Sequence, residues 1–271
     1  MSGKKTVGVI GLGHVGSMTA DQLTHHMDLV TYDVISARPY PGAELAKCDF
    51  VVVCVNTPAL ACGTVDLSQV EGAFEPLPSR VPVILRSTVP PGTTDALAKR
   101  YGREVIFWPE YVGETRFATP TWRVLAEDQP FQLVGAWKSS VTTCWLDLMA
   151  ETFGPLVRLH RVDPAEAELA KYMENSWFAV KVTFVNEFRR LAEGLGLDWQ
   201  SVREGWLLDP RVERDHSDAF ASEPGYSGKC LPKDVAGIIG HAAANGIDLP
   251  LLTSVKAIND AIHNRRRDDD E

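Results

Sequence analysis

Between Thr6 and Asp33 the chain runs through a strand, a glycine-rich turn, a helix, a second strand and an acid, an order that few folds accept. Thr6 to Ile10 is a short β-branched apolar run. It leads into Gly11-Leu12-Gly13-His14-Val15-Gly16, a stretch predicted to be helical from Ser17 to about His26, and a strand from Leu29 to Tyr32 that ends at Asp33. Glycines at 11, 13 and 16 permit the tight turn and let backbone approach a pyrophosphate closely, with the helix N-terminus facing the phosphates. Asp33 is placed to accept hydrogen bonds from ribose hydroxyls, and its charge repels a 2′-phosphate, so the motif selects NAD over NADP. The bland alternative is a doubly wound domain that holds no ligand.

The alternation continues beyond Asp33. Strands are predicted over Asp49 to Val55, Val81 to Arg86, Glu104 to Trp108 and Phe131 to Gly135, and helices over Thr94 to Tyr101 and Ser139 to Thr152. Strands alternating with helices give an α/β fold, a doubly wound and mostly parallel sheet. Ligands of such sheets lie beyond the carboxyl ends of the strands. Thr57, Thr88 and Glu110 each fall just past a predicted strand end, so one crevice is expected to collect them. Taken singly, each also reads as loop punctuation or a solvated carboxylate.

From about Val162 the alternation stops. Asp163-Pro164-Ala165-Glu166 is a helix start, with Asp as N-cap, Pro at the first position and Glu at N3. The apolar pattern then runs through Tyr172, Trp177, Val185, Phe188 and Leu191 towards Gly194, which predicts a long amphipathic helix or two in tandem. Lys171 and Asn175 are four apart and share a face. An ammonium beside an amide makes an oxyanion clamp, against the plainer reading of a solvated lysine and a surface asparagine. Further helices are expected over Asp198 to Leu208, from about Asp234 to Asn245, and from about Leu252 onward. The predicted division is a dinucleotide-binding domain over 1–160 and an all-helical domain over 161–271.

Within the helical half, Gly225-Tyr226-Ser227-Gly228-Lys229-Cys230-Leu231-Pro232-Lys233-Asp234 sets a cysteine after a glycine-bearing turn, with a cation and a carboxylate close behind. A thiol beside a cation ionises more readily, and the thiolate is the reactive form. The five cysteines are odd in number and scattered, with no Cys-x-x-Cys pair, so neither a disulfide framework nor a zinc site is indicated and no metal is expected. A reducing, cytoplasmic setting fits that cysteine usage. Net charge is −9, and Arg265 to Arg267 are followed at once by four acidic residues, which argues against a nucleic-acid surface. No apolar run reaches the roughly 18 residues of a membrane span, and no signal peptide is visible at the N-terminus.

Taken together, the motifs resemble those of the UDP-glucose/GDP-mannose dehydrogenase family, the nucleotide-sugar 6-dehydrogenases. Val55 to Pro58, Ser87 to Thr93, Pro109 to Glu114, Glu168 to Asn175, Val185 to Glu187 and Cys230 to Asp234 look like its signature segments, in order. The resemblance implies a Rossmann-like domain followed by a helical domain with a long dimerising helix, and a four-electron, NAD-dependent oxidation of a primary alcohol to a carboxylate. It implies NAD contacts from Gly11, Gly13, His14, Val15, Gly16, Asp33, Arg38, Thr57, Thr88, Glu114 and Lys233. It implies Cys230 as the nucleophile that forms a thiohemiacetal and then a thioester, with Lys171 and Asn175 supporting charge on the substrate oxygen. Glu110, Asp234 and Thr88 would handle water and protons. Substrate contacts are implied for Glu110, Lys171, Asn175, Tyr226, Ser227 and Gly228, and more loosely for Arg211.

The chain departs from the family in three places. Ser227 stands where glycine is common, and Trp108 replaces a small polar residue before Pro109-Glu110. Members usually continue into a third, nucleotide-gripping α/β domain, whereas this sequence ends at Glu271. On that reading the third domain is absent, and three explanations compete: the substrate is smaller or differently held, a separate chain supplies the domain, or the protein is an inactive remnant, against which the intact catalytic groups speak. Two alternatives remain open at this point: a two-electron β-hydroxyacid-type dehydrogenase, and an NAD-binding non-catalytic subunit of a two-chain dehydrogenase.

Overall fold

A computed structural model describes residues 4–60, 63–111 and 130–270, with side chains as far as 264. Seven strands form one sheet: β1 (Thr6–Ile10), β2 (Asp28–Tyr32), β3 (Phe50–Val53), β4 (Val83–Leu85), β5 (Val105–Phe107), β6 (Phe131–Gly135) and β7 (Arg158–Val162). Their order across the sheet is β2-β1-β3-β4-β5-β6-β7. All neighbours pair in parallel except β5 and β6, which meet antiparallel at Phe107 and Gly135. The mostly parallel, doubly wound sheet expected from the alternation is therefore present.

The uninterrupted apolar runs have a simple cause. All four residues of β3 are buried, because helices cover both faces of a parallel sheet. Val51, Val53, Val83, Leu85 and Phe107 enter one core with Leu45, Phe74 and Leu97. Val52, Ile84, Ile106 and Trp108 enter the other with Leu23, Trp145 and Met149. The helices are α1 (His14–Leu23), α2 (Gly42–Leu45), α3 (Ser68–Phe74), α4 (Thr93–Tyr101) and α5 (Ser140–Phe153) on the sheet, then α6 (Pro164–Gly194), α7 (Trp199–Trp206), α8 (Leu231–Ala244) and α9 (Pro250–Asp270).

Several boundaries differ from expectation. Helix α1 starts at His14, not Ser17, so the last motif glycine lies in its first turn. The expected strands at 49–55, 81–86 and 104–108 shorten to their central residues, because only those pair within the sheet. Strand β7 was not foreseen. Its sequence Arg-Leu-His-Arg-Val carries three polar or charged side chains, as suits a sheet edge with a solvated face, and it lacks a continuous apolar run. The short helices α2 and α3 were also not foreseen.

The chain forms two compact units. One comprises Met1–Pro58 and Val65–Lys171, and the other Ala59–Thr64 and Tyr172–Glu271. The division on α6 falls later than the expected 160/161, because β7 still belongs to the sheet and Ala167, on α6, still belongs to its core. The expected capping box opens α6: the Asp163 N–H donates to Glu166 Oε2 at 3.0 Å. In the second unit, Ala179, Tyr226, Val235 and Val255 form one small core, and Val185, Ala192, Trp199 and Ala219 another. The excursion 59–64 joins this unit where Gly63 meets Gly240 of α8. A Cβ at Gly240 would lie 2.2 Å from the Gly63 carbonyl oxygen. No described helix is long and apolar enough to cross a membrane.

Trp108 occupies the centre of the second sheet core. It is fully buried, its Nε1 donates to Gln132 Oε1 at 2.7 Å, and its ring meets those of Trp145 and Phe153. Replacing a buried aromatic by alanine costs about 3–5 kcal/mol. Trp108→Ala is expected to lose stability of that order in urea unfolding followed by circular dichroism.

Candidate active site

In the first unit the glycine-rich turn is built by close approach. Gly11 has φ +87°, and a Cβ there would lie 2.8 Å from the Cys54 carbonyl oxygen. A Cβ at Gly16 would lie 1.7 Å from the Gly11 oxygen. Gly13 differs, since a Cβ there would meet nothing within 4 Å. Packing therefore explains glycine at 11 and 16, while at 13 the space is open and leaves room for a ligand to approach the backbone. Gly13 caps α1 without a side-chain bond, and the first turn of α1 carries no acid. Backbone N–H groups and the helix dipole are thus available to an anion. These residues fit a dinucleotide pyrophosphate.

Asp33 also makes backbone contacts that the sequence did not reveal. Its Oδ2 accepts from the Leu12 N–H at 2.6 Å and its Oδ1 from the Ile35 N–H at 2.9 Å, tying the turn to the end of β2. His14 and Arg38 are exposed and Val15 is half-buried. Thr57 and Thr88 are brought together, with the Thr57 hydroxyl donating to the Thr88 carbonyl at 2.8 Å, while the Ser87 hydroxyl donates to the Val55 carbonyl at 2.7 Å. The ends of β3 and β4 are thereby stitched to each other. Glu110 follows β5 and is half-buried. Glu114 lies outside the described residues, as does Cys62.

Beside these loops Arg86 is buried over the Trp108 ring, its Cζ 3.4 Å from the ring centroid. Burial lowers its affinity for a proton to about 10, against the opposing pull of Cys54 and Glu110. Its Nε and Nη1 have no hydrogen-bond partner among the described residues. Burial also pushes the Cys54 thiol up to about 11, which leaves it protonated and inert.

Helix α6 begins in this unit and carries Glu168 and Lys171. Glu168 is fully buried. Its Oε2 accepts from the Gly92 N–H at 2.5 Å, and its Oε1 accepts from the Thr94 N–H at 2.7 Å and the Thr94 hydroxyl at 2.6 Å. Lys171 is also buried, with Nζ 4.6 Å from the centroid of the Tyr111 ring. The position of Lys171 argues against the plainer reading of a solvated lysine.

The second unit holds the cysteine. Cys230 is the N-cap residue of α8 and is half-buried. Asp234, in the first turn of α8, is buried. Its Oδ2 accepts from Asn175 Nδ2 at 2.6 Å and its Oδ1 from Lys233 Nζ at 2.5 Å. Asn175 is itself buried, not a surface amide, and Lys233 is committed to Asp234. The turn before the cysteine is clamped by a residue that the motif reading did not include. Asn259 on α9 accepts from the Tyr226 N–H at 2.8 Å and donates to the Tyr226 carbonyl at 3.0 Å. Gly225, at φ +79°, has no room for a Cβ, which would lie 2.5 Å from Asn259 Oδ1. Tyr226 is buried, whereas Ser227 and Gly228 are exposed and line a cleft of about 550 Å³ with Pro232, Asn259 and His263. Arg211 is exposed and its guanidinium is taken up by Asp209 at 2.5–3.1 Å. Its described contacts do not reach the cysteine turn. No cluster of three or more metal-ligating side chains occurs among the described residues.

Burial pushes the Glu168 carboxyl up to about 7, against its three donors and with Asp95 adding to the rise. The folded chain therefore holds this proton over a range in which the unfolded chain, near 4.5, has lost it. The corresponding stability is complete below about 4.5 and is lost as pH rises through about 7. Glu168→Gln is expected to remove that component of the pH dependence. Urea midpoints measured across the interval check it.

Comparison with known proteins supplies an independent finding. Residues 40–116 match the NAD binding domain of the UDP-glucose/GDP-mannose dehydrogenase family, and residues 165–261 match that family's central domain. GDP-mannose 6-dehydrogenase of Pseudomonas syringae pv. tomato is 26% identical over 93% of this chain and 67% of its own length. UDP-glucose 6-dehydrogenase YwqF of Bacillus subtilis is 27% identical over 93% of this chain and 65% of its own. Among solved structures, a UDP-glucose dehydrogenase from Pyrobaculum islandicum superimposes with a TM-score of 0.81 at 27% identity, covering 96% of this chain and 69% of that one. The chain thus spans about two thirds of the length of these relatives.

Proposed function

The chain belongs to the UDP-glucose/GDP-mannose dehydrogenase family and carries its NAD-binding domain, and from that premise we propose that it oxidises the primary alcohol of a nucleotide sugar to the carboxylate in two NAD-dependent steps. The observation that carries the reading is the cysteine at the head of α8, with Asp234 one turn on and bound to Asn175 and Lys233.

NAD, when bound, accepts one hydride in each oxidation. Gly13 and the start of α1 would hold its pyrophosphate, Asp33 its ribose, and Thr57 and Thr88 the loops that flank it. In the first oxidation the alcohol gives up its hydroxyl proton and a hydride, leaving an aldehyde. An aldehyde is a poor hydride donor until a nucleophile makes it tetrahedral. The Cys230 sulfur attacks the carbonyl carbon, and the π-electron pair moves to oxygen. Lys171 and Asn175 stabilise that oxygen; such a preorganised donor contributes about 3 kcal/mol. Loss of a second hydride leaves a thioester. Water, deprotonated with the help of Glu110, Asp234 and Thr88, adds to the carbonyl, and the C–S bond breaks to release acid and regenerate the thiolate. An anionic sulfur at the start of α8 would face the positive end of the helix dipole.

NADH yield across UDP-glucose, UDP-N-acetyl sugars, GDP-mannose and free sugars tests the reaction class. Two NADH per substrate are expected. One per substrate would indicate the two-electron β-hydroxyacid type, and NAD binding without any turnover, alone or with a partner chain, would indicate a non-catalytic subunit. Cys230→Ala is expected to abolish acid formation while NAD affinity stays nearly intact. Undiminished acid formation in that variant removes the covalent step.

The same reading includes a homodimer through α6. Met173, Trp177, Phe184, Phe188 and Leu191 recur at helical spacing and are each 44–75% exposed, an apolar stripe about five turns long. A second copy of the same helix offers a matching surface. Light scattering is expected to give twice the chain mass of 29.8 kDa for the wild type and the single-chain mass for a Phe184→Glu/Phe188→Glu variant. A monomeric wild type would contradict the dimer.

A further inference from the structure

Glu168 lies three residues before Lys171, within one turn of α6. Side chains at that spacing stand on the same side of a helix. Both carboxylate oxygens are spent on one short stretch of chain: Oε2 on the Gly92 N–H, and Oε1 on the N–H and hydroxyl of Thr94. Gly92 is the N-cap of α4, at φ +90°, and offers no side chain of its own to the helix. A carboxylate from α6 therefore supplies the cap that α4 lacks. The capped turn closes the loop that starts at Thr88, whose carbonyl is already held by Thr57.

This arrangement is not an ion pair. Among the described residues no lysine or arginine is paired with Glu168, and the neighbouring charge, Asp95, is of the same sign. A carboxylate buried without a cation is costly, and a glutamine of equal size would be cheaper to desolvate. Glutamine has only one acceptor oxygen, however, and its amide N–H would face the N–H of Gly92 or Thr94. Two acceptors on one rigid plane do what a single hydrogen bond cannot, since together they restrain both the slide and the roll of α6 against the loop. Lys171, one turn along, is thereby held with its ammonium against the Tyr111 ring.

We propose that Glu168 is a positioning residue: its two-oxygen clamp on the Gly92–Thr94 turn sets the height and roll of α6, and so the distance of the Lys171 ammonium from the Thr88 loop. This inference rests on the proposed role of Lys171 at the substrate oxygen, and it deepens that role.

Two measurements on Glu168→Gln test it, with thermal melting to establish that the variant is folded. The first is competitive acetylation read by mass spectrometry, in which Lys171 of the wild type should label slowly and Lys171 of the variant several times faster, relative to exposed lysines in the same sample. The second is steady-state kinetics with the nucleotide sugar that turns over. A displacement on the order of 1 Å at a reacting group costs up to about a hundredfold, so kcat should fall about tenfold or more while KM and NAD affinity change little. Thr94→Val, which removes one donor and leaves both backbone bonds, should shift both readouts the same way by less. If Glu168→Gln fails to fold, Thr94→Val alone decides. A folded variant with Lys171 labelling and kcat both unchanged overturns the clamp. Lys171→Ala is the control for the underlying reading: if it leaves turnover intact, the assigned role of Lys171 fails, whereas the labelling result still reports on the clamp.

Discussion

A carboxylate taken out of water must be given donors, and helix α6 is placed by that requirement at two points. In the first unit Glu168 reaches from α6 to the turn before α4 and takes three donors there. In the second unit Asp234 takes one donor from Asn175 on α6 and another from Lys233. Leaving a buried carboxylate unsatisfied costs several kcal/mol, so each contact is strongly directional where apolar packing is not. Eight residues of one helix, Glu168 to Asn175, thus carry a buried carboxylate, a buried ammonium and a buried amide, each with a defined neighbour. The apolar residues of α6 supply affinity for the cores, and the polar ones supply register.

Much of the fold was legible because a parallel sheet leaves a strong imprint. Strands buried on both faces read as unbroken Val-Ile-Leu runs, and the glycine turn is unmistakable when a strand precedes it and an acid closes the next strand. Strand β7 escaped because an edge strand with a solvated face mixes arginine and histidine into its pattern. Helices α2 and α3 escaped because four and seven residues are too few to show a 3.6-residue period. The end of the first unit was also hidden. Nothing local marks Lys171 as the last residue of one compact unit, since the helix runs on without a break.

The site was legible to a different depth at different residues. Cys230, Lys171, Asn175 and Asp234 could be named from motif and spacing, but their state could not. Lys171 and Asn175 are buried rather than solvated, and one amide hydrogen of Asn175 is already spent on Asp234. Asn259 and Glu168 were not singled out because each acts through backbone atoms far away in sequence: Asn259 on Tyr226, Glu168 on Gly92 and Thr94. A lone asparagine opposite a glycine turn carries no local signal, and only tertiary structure joins the two. Arg211 illustrates the opposite case, a residue named on a loose motif match whose guanidinium is occupied by Asp209.

The account comes down to whether the Cys230 sulfur carries the carbon between two oxidations. The direct measurement is acid quenching and peptide mass spectrometry of a Glu110→Gln variant mixed with NAD and the active nucleotide sugar, alongside the NADH burst. With water activation impaired, the account predicts two NADH per site and a Cys230 peptide bearing the uronyl acyl group. A burst of two NADH with Cys230 unmodified, or with the acyl group on another residue, would contradict it.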